Sequence, residues 1–255
     1  MKNTIKKLSI IVAFALTLLL ASCAKPPRDL SDTEGSDDAF VQAEKAEDYI
    51  DSFIFFGEST TYHLKSREVL SGGKETTQVW APRSGTASLD STTASLKIVF
   101  PETGEEITLS EALKRKKPRR IMLTFGLNGA TVKIKKGEEY FRTCYLSLIK
   151  KIRESSPETK IYLGSCFPIS KSMDMSAYTV DALTLNGYID KINSWTARLA
   201  TDEGLYYVDS APCLKGEDGF LKREYDAGDG YHLSAAAYEK ILEYIRLNRP
   251  MEDNL

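Results

Sequence analysis

The sequence predicts an α/β domain of three layers, with a mostly parallel central sheet and helices on both faces. Three observations carry that expectation. Apolar runs of strand length recur along the chain, each ended by a glycine or an aspartate. Between them lie longer stretches whose apolar residues fall three and four apart, the spacing of one helix face. A chain of 255 residues, 42% hydrophobic and 27% charged, suits a single domain with a sizeable core. Strands alternating with helices then join as parallel neighbours through crossovers.

The strands come in order. Ser52-Phe53-Ile54-Phe55-Phe56 is an apolar run stopped by Gly57, and Arg120-Ile121-Met122-Leu123-Thr124-Phe125 is a second stopped by Gly126. Lys160 to Gly164 and Leu205 to Asp209 are a third and a fourth. Continuous rather than alternating runs are what strands covered on both faces require. Glu138 to Ser155 reads as a helix on Tyr140, Phe141, Tyr145, Leu148, Ile149 and Ile152; Asp181 to Ala200 does so on Leu185, Tyr188, Ile189, Ile192 and Trp195. Ser234 to Asn248 closes the chain as a helix with Ser234 as N-cap. The segment from Lys74 to Lys117 is less regular. Gln78-Val79-Trp80 and Leu96 to Phe100 read as short strands, Pro101 to Gly104 turns into Glu105 to Thr108 as a hairpin, and a short helix opens at Ser110.

Residues 1–22 read as a signal segment, with Lys2, Lys6 and Lys7 ahead of the apolar run Leu8 to Leu20, which is too short to span a bilayer comfortably. The run ends in Leu20-Ala21-Ser22-Cys23, which resembles a bacterial lipobox, in which the cysteine is lipidated and becomes the new N-terminus. Residues 23–45, with Pro26, Pro27, Gly35 and several aspartates, have the composition of a tether, and 46–255 form the domain. The expectation is an extracytoplasmic, membrane-anchored, monomeric lipoprotein. Loss of three lysines with the signal takes the net charge from −2 to −5. That balance offers no field for nucleic acid.

Four cysteines without a CxxC pair argue against a zinc site, and no metal or cofactor is expected. Cys144 reads as a buried thiol, while Cys166 and Cys213 each follow a strand and are open to pairing in an oxidising compartment. Lys114 to Arg120 places six basic residues in seven positions and reads as a solvated helix end rather than a polyanion site.

Ligands of open parallel sheets bind beyond the carboxyl ends of the strands, so the loops after Phe56, Phe125 and Val208 are where chemistry belongs. They hold Gly57-Glu58-Ser59, Gly126-Leu127-Asn128-Gly129 and Asp229-Gly230-Tyr231-His232. Ser59 alone reads as a helix cap; what changes its weight is that one of only two histidines sits in an Asp-x-x-His before the last helix.

In order and spacing the three pieces resemble the SGNH branch of the GDSL esterase/acylhydrolase family. The resemblance implies a flavodoxin-like sheet. It implies Ser59 as nucleophile, His232 as general base and Asp229 as the carboxylate that orients it. It also implies an oxyanion hole of Asn128 with the backbone N–H groups of Ser59 and Gly85, though Gly72 and Gly73 lie in the same interval. Glu58 and Gly129 stand where the family pattern has aspartates, and both help set loop geometry beside the site. His63, one helical turn after Ser59, is expected to contact substrate or to be structural. The resulting expectation is a serine esterase that removes a small acyl group, such as acetyl, from a carbohydrate or cell-envelope substrate. The rival expectations are a non-catalytic carbohydrate-binding lipoprotein and an O-acyltransferase.

Overall fold

A computed structural model describes residues 49–250. The signal segment, Cys23 and the tether lie outside the described residues.

The strand runs predicted from sequence form one parallel sheet. β1 (Phe53–Gly57) pairs with β2 (Val79–Trp80) on one side and, on the other, with the strand Arg120–Thr124. An antiparallel pair, β3 (Lys97–Val99) and β4 (Glu106–Thr108), is the hairpin expected there and meets the end of β2 through a bridge between Val99 and Ala81. With Arg120–Thr124 as β5, Lys160–Gly164 as β6 and Tyr206–Val208 as β7, the sheet order is β2-β1-β5-β6-β7. The order reverses between β1 and β5, which opens a crevice at their carboxyl ends.

Six helices of at least seven residues are described: α1 (Ser59–Ser66), α2 (Leu109–Lys116), α3 (Ala130–Lys136), α4 (Glu138–Ser155), α5 (Ala182–Asp202) and α6 (Ala235–Leu247). Asp181 and Ser234 cap α5 and α6, accepting from the N–H of Thr184 and Ala237 respectively. The short helix expected from Ser110 opens one residue earlier, because Thr108 is its N-cap and accepts from Glu111 N–H. Helix α3 was not evident in the sequence; it holds three lysines in seven residues and begins directly after a glycine.

Alternate strand residues separate two cores, which makes the three layers. Ile54, Phe56, Ile121, Leu123, Ile161 and Leu163 face α2, α4 and α5. Phe53, Phe55, Met122 and Tyr162 face α1 and α6. Each fully buried aromatic of β1 contributes about 1.5–3 kcal/mol by leaving water.

One sequence expectation needs correction, and one alternative the sequence left open is decided. The basic run does not stay wholly in solvent. Arg115 and Lys116 pair with Glu105, Glu111 and Glu102 at the end of α2, whereas Arg120 is buried in β5, where it donates to Ser52 Oγ at 2.7 Å and lies over the Tyr49 ring. Nor are Cys166 and Cys213 bonded; all three described cysteines are free thiols. Cys166 is buried with its Sγ donating to Phe125 O, and Cys213 Sγ donates to Ser210 O. Each thiol is held by a neighbouring carbonyl instead.

Candidate active site

Three loops meet at the carboxyl end of the sheet, and each is fixed by a specific contact. At the end of β1, a Cβ on Gly57 would lie 2.3 Å from Thr61 Oγ1 and 2.4 Å from Thr124 O, so only glycine lets β1 turn into α1 beside β5. Glu58 is extended (φ −79°, ψ −174°) and Ser59 is the first residue of α1. The hydroxyl thus sits at a helix N-terminus, where the dipole favours developing negative charge. Helix α6 is tied to this turn by Tyr238, whose hydroxyl donates to Thr60 O at 2.6 Å.

The loop 226–232 is folded by two aspartates on its own backbone. Asp226 Oδ1 accepts from Gly228 and Gly230 N–H, and Asp229 Oδ1 accepts from Tyr231 and His232 N–H at 2.9 and 2.7 Å. That leaves Asp229 Oδ2 to face the imidazole, 2.6 Å from His232 Nδ1. Nε2 of the same ring lies 3.1 Å from Ser59 Oγ. Partial burial disfavours the Asp229 carboxylate, but the His232 and Tyr231 N–H groups and the imidazole outweigh this and bring it down to about 2. Ser59, His232 and Asp229, 173 and three residues apart, are therefore joined in one hydrogen-bonded series.

Asn128 faces the same crevice. Its Nδ2 donates to Thr86 Oγ1 at 3.1 Å and to Ala87 O at 3.4 Å, and its Oδ1 accepts from the Tyr231 hydroxyl at 2.7 Å. Because the Ala87 carbonyl can only accept, the amide is held with Nδ2 toward the 86–87 loop and Oδ1 toward Tyr231. Ala87 N–H reaches Gly57 O at 3.3 Å, which brings that loop against the turn bearing Ser59.

Gly85, expected as an oxyanion donor, is not free to be one in this conformation. It has φ +76° and its N–H donates to Pro82 O at 2.8 Å, closing a turn. Neither is Gly72 or Gly73 nearer the part: both belong to a separate turn in which Gly73 N–H donates to Leu70 O. His63 does reach the site. Its ring lies 4.5 Å from that of His232, tilted by 44°, and burial followed by the neighbouring His232 and Arg67 lowers its pKa. Its hydrogen-bonding is not with Ser59: Nδ1 is buried without a partner among the described residues.

Sequence reasoning missed Tyr231, Thr86 and Lys133. Tyr231 stands beside His232 inside a motif that singled out only its neighbours, and no pattern marks a threonine or a lysine whose partner is distant in sequence. Glu58, expected only to shape the loop, is buried at 2% exposure and binds the loop after β5, with Oε1 accepting from Gly126 N–H at 3.0 Å and Oε2 from Asn128 N–H at 2.9 Å.

Solved structures similar to the chain include a GDSL-like lipase from Bacteroides thetaiotaomicron (16% identity, covering 86% of this chain and 97% of that one, TM-score 0.47). Another is the periplasmic domain of a lipopolysaccharide acetyltransferase from Salmonella ser. Paratyphi A (17%, 76% and 81%, TM-score 0.49). A third is a peptidoglycan O-acetylesterase (18%, 57% and 41%, TM-score 0.44). At such identities none of them assigns a substrate to this chain. No curated protein matches it. Residues 55–240 match the model of the GDSL-like Lipase/Acylhydrolase family, a span that runs from β1 into α6 and takes in all three loops. The chain belongs to that family of ester hydrolases.

Proposed function

We propose that this protein is an extracytoplasmic serine esterase, anchored through a lipid on Cys23, that removes a small acyl group such as acetyl from a carbohydrate or cell-envelope substrate. The observation that carries the reading is the unbroken series from Ser59 Oγ through both ring nitrogens of His232 to Asp229 Oδ2, with contacts of 3.1 and 2.6 Å.

In this reading neutral His232 keeps its proton on Nδ1, donating to Asp229, so Nε2 accepts the Ser59 proton as Oγ attacks the ester carbonyl. His232 then returns the proton to the leaving alcohol, and water enters by the reverse steps to release the acid. The tetrahedral oxyanion lies at the N-terminus of α1, where Ser59 N–H and Asn128 Nδ2 are the donors. Asn128 contributes by turning its longer bond, that to Ala87 O, toward the oxyanion. Ionised Asp229 stabilises the imidazolium of each transition state.

One feature supports a polar carrier. At the same end of the sheet an open groove of about 660 Å³, lined by Ser170, Lys171, Asp218, Phe220, Lys222 and Asp226, offers polar and aromatic groups on the scale of a sugar. Purified protein without its signal is to be assayed on aryl esters of increasing chain length and on acetylated saccharides, beside Ser59→Ala. Hydrolysis favouring acetyl and lost in the variant is the expected result. Activity that survives in Ser59→Ala refutes the mechanism, a preference for long chains refutes the substrate class, and transfer to an added sugar exceeding hydrolysis makes the protein an acyltransferase.

A further inference from the structure

The backbone of Asn128 is held at both its N–H and its C=O by side chains outside its own loop. Its N–H, with that of Gly126, is received by the two oxygens of Glu58, the residue immediately before Ser59. Its C=O accepts from the ammonium of Lys133, one turn into α3, which is only 5% exposed. No pattern of charge on the surface accounts for this pair, since both side chains are buried and both end on backbone rather than on solvent.

Burying a carboxylate and an ammonium is costly unless each is hydrogen-bonded and compensated. Burial indeed raises the Glu58 pKa above the ordinary carboxylate range, against the opposing pull of Lys133 and of the Gly126, Asn128 and Leu127 N–H groups. A protonated carboxyl would set its O–H against one of two N–H donors, so the geometry fits the anion. An apolar pair would hold the fold without that cost. What the charged pair supplies instead is a fixed position for residue 128 relative to the nucleophile, because Glu58 is covalently next to Ser59.

Building on the proposed esterase mechanism, we propose that Glu58 and Lys133 are positioning residues for catalysis: they clamp the Asn128 peptide so that its side-chain amide stands at a set distance from the oxyanion formed on Ser59. The tolerance of such a donor is narrow, since a misplacement of about 1 Å can cost about 100-fold in rate. Glu58→Gln turns an –NH2 toward one of the two N–H groups and opens the loop. Glu58→Asp keeps the charge but is one methylene short of spanning both. Lys133→Met keeps the length and apolar stem and removes only the grip on the carbonyl.

The test is kcat and KM on an aryl acetate for these three variants, each made also in an Asn128→Ala background, with Ser59→Ala alongside. We expect kcat to fall about 10- to 100-fold in Glu58→Gln, less in Glu58→Asp and several-fold in Lys133→Met, with KM nearly unchanged. In the Asn128→Ala background the same substitutions have no further effect on kcat, which a merely structural role would not produce. Wild-type kcat in both Glu58→Gln and Lys133→Met overturns the clamp, as do losses that persist undiminished without Asn128, or an Asn128→Ala variant of wild-type rate. If Glu58→Gln does not fold, Lys133→Met decides by the same criteria. Failure of the esterase reading is separate: it shows as activity retained in Ser59→Ala.

Discussion

Replacing Tyr231 with phenylalanine tests how the histidine loop and the Asn128 side chain depend on each other. The substitution removes one oxygen, the donor to Asn128 Oδ1 at 2.7 Å, and leaves the ring in place against His232, 5.1 Å between centroids. The amide keeps its two acceptors on the Thr86–Ala87 side, so it loosens rather than inverts. A neutral hydrogen bond contributes about 0.5–1.5 kcal/mol net. At about 1.36 kcal/mol per factor of ten in rate, its loss from the transition state lowers kcat about 2- to 13-fold. Complete removal of the donor in Asn128→Ala costs more, about 100- to 1000-fold. Burial raises the Tyr231 phenol well above its ordinary pKa, so the hydroxyl stays protonated and the wild-type to variant ratio stays constant from about pH 6 to 9. The assay is saturation kinetics on an aryl acetate for Tyr231→Phe, Asn128→Ala and the double variant. Tyr231 acts through Asn128, so the double variant matches Asn128→Ala alone. A double variant slower by the full product of the two single losses, or a loss confined to KM, refutes the reasoning.

Further outcomes can be measured independently. Asp229→Asn keeps the shape of the contact to His232 Nδ1 but admits the wrong imidazole tautomer, and kcat falls about 10⁴-fold with KM little changed; a loss under tenfold contradicts the role of Asp229. Asp229 is lowered in the folded protein to about 2, so its contribution to stability is complete above the unfolded-state value near 3.9 and is lost as pH falls from there toward 2. Urea unfolding between about pH 5 and 2 should then be less acid-sensitive in Asp229→Asn than in the wild type. Gly126→Ala puts a Cβ 2.6 Å from Ile192 Cγ2 and 2.9 Å from Cys166 Sγ at φ +137°, destabilising the fold by about 1–3 kcal/mol in urea titration. Cys23→Ser abolishes incorporation of radiolabelled palmitate and releases the protein from the membrane fraction or leaves it unprocessed; unchanged labelling and association dismiss the anchor.

The layers of this protein were written in its sequence because they rest on local periodicity. Continuous apolar runs such as Phe53–Phe56 and Ile121–Leu123 have no polar face to turn to solvent, and the stripe from Phe141 to Ile152 fits only a helix. The motif residues Ser59, Asn128, Asp229 and His232 were legible as well, because each lies in a short fixed pattern at the end of a strand or before a helix. Helix α3 was not, since lysines at Lys133, Lys135 and Lys136 give it no clear apolar stripe, and only contact with its neighbours selects the helical state. The tertiary structure alone decided everything that depends on residues far apart in the chain. It engaged the Gly85 N–H with Pro82, kept Cys166 and Cys213 apart, drew His63 onto His232 and buried Arg120 under Tyr49. It also set Tyr231 against Asn128 across 103 residues and Glu58 against the same loop across 70. The physical reason is range: periodicity and caps act over one or two turns of chain, whereas a buried polar group must find its partner wherever the packed sheet happens to bring one.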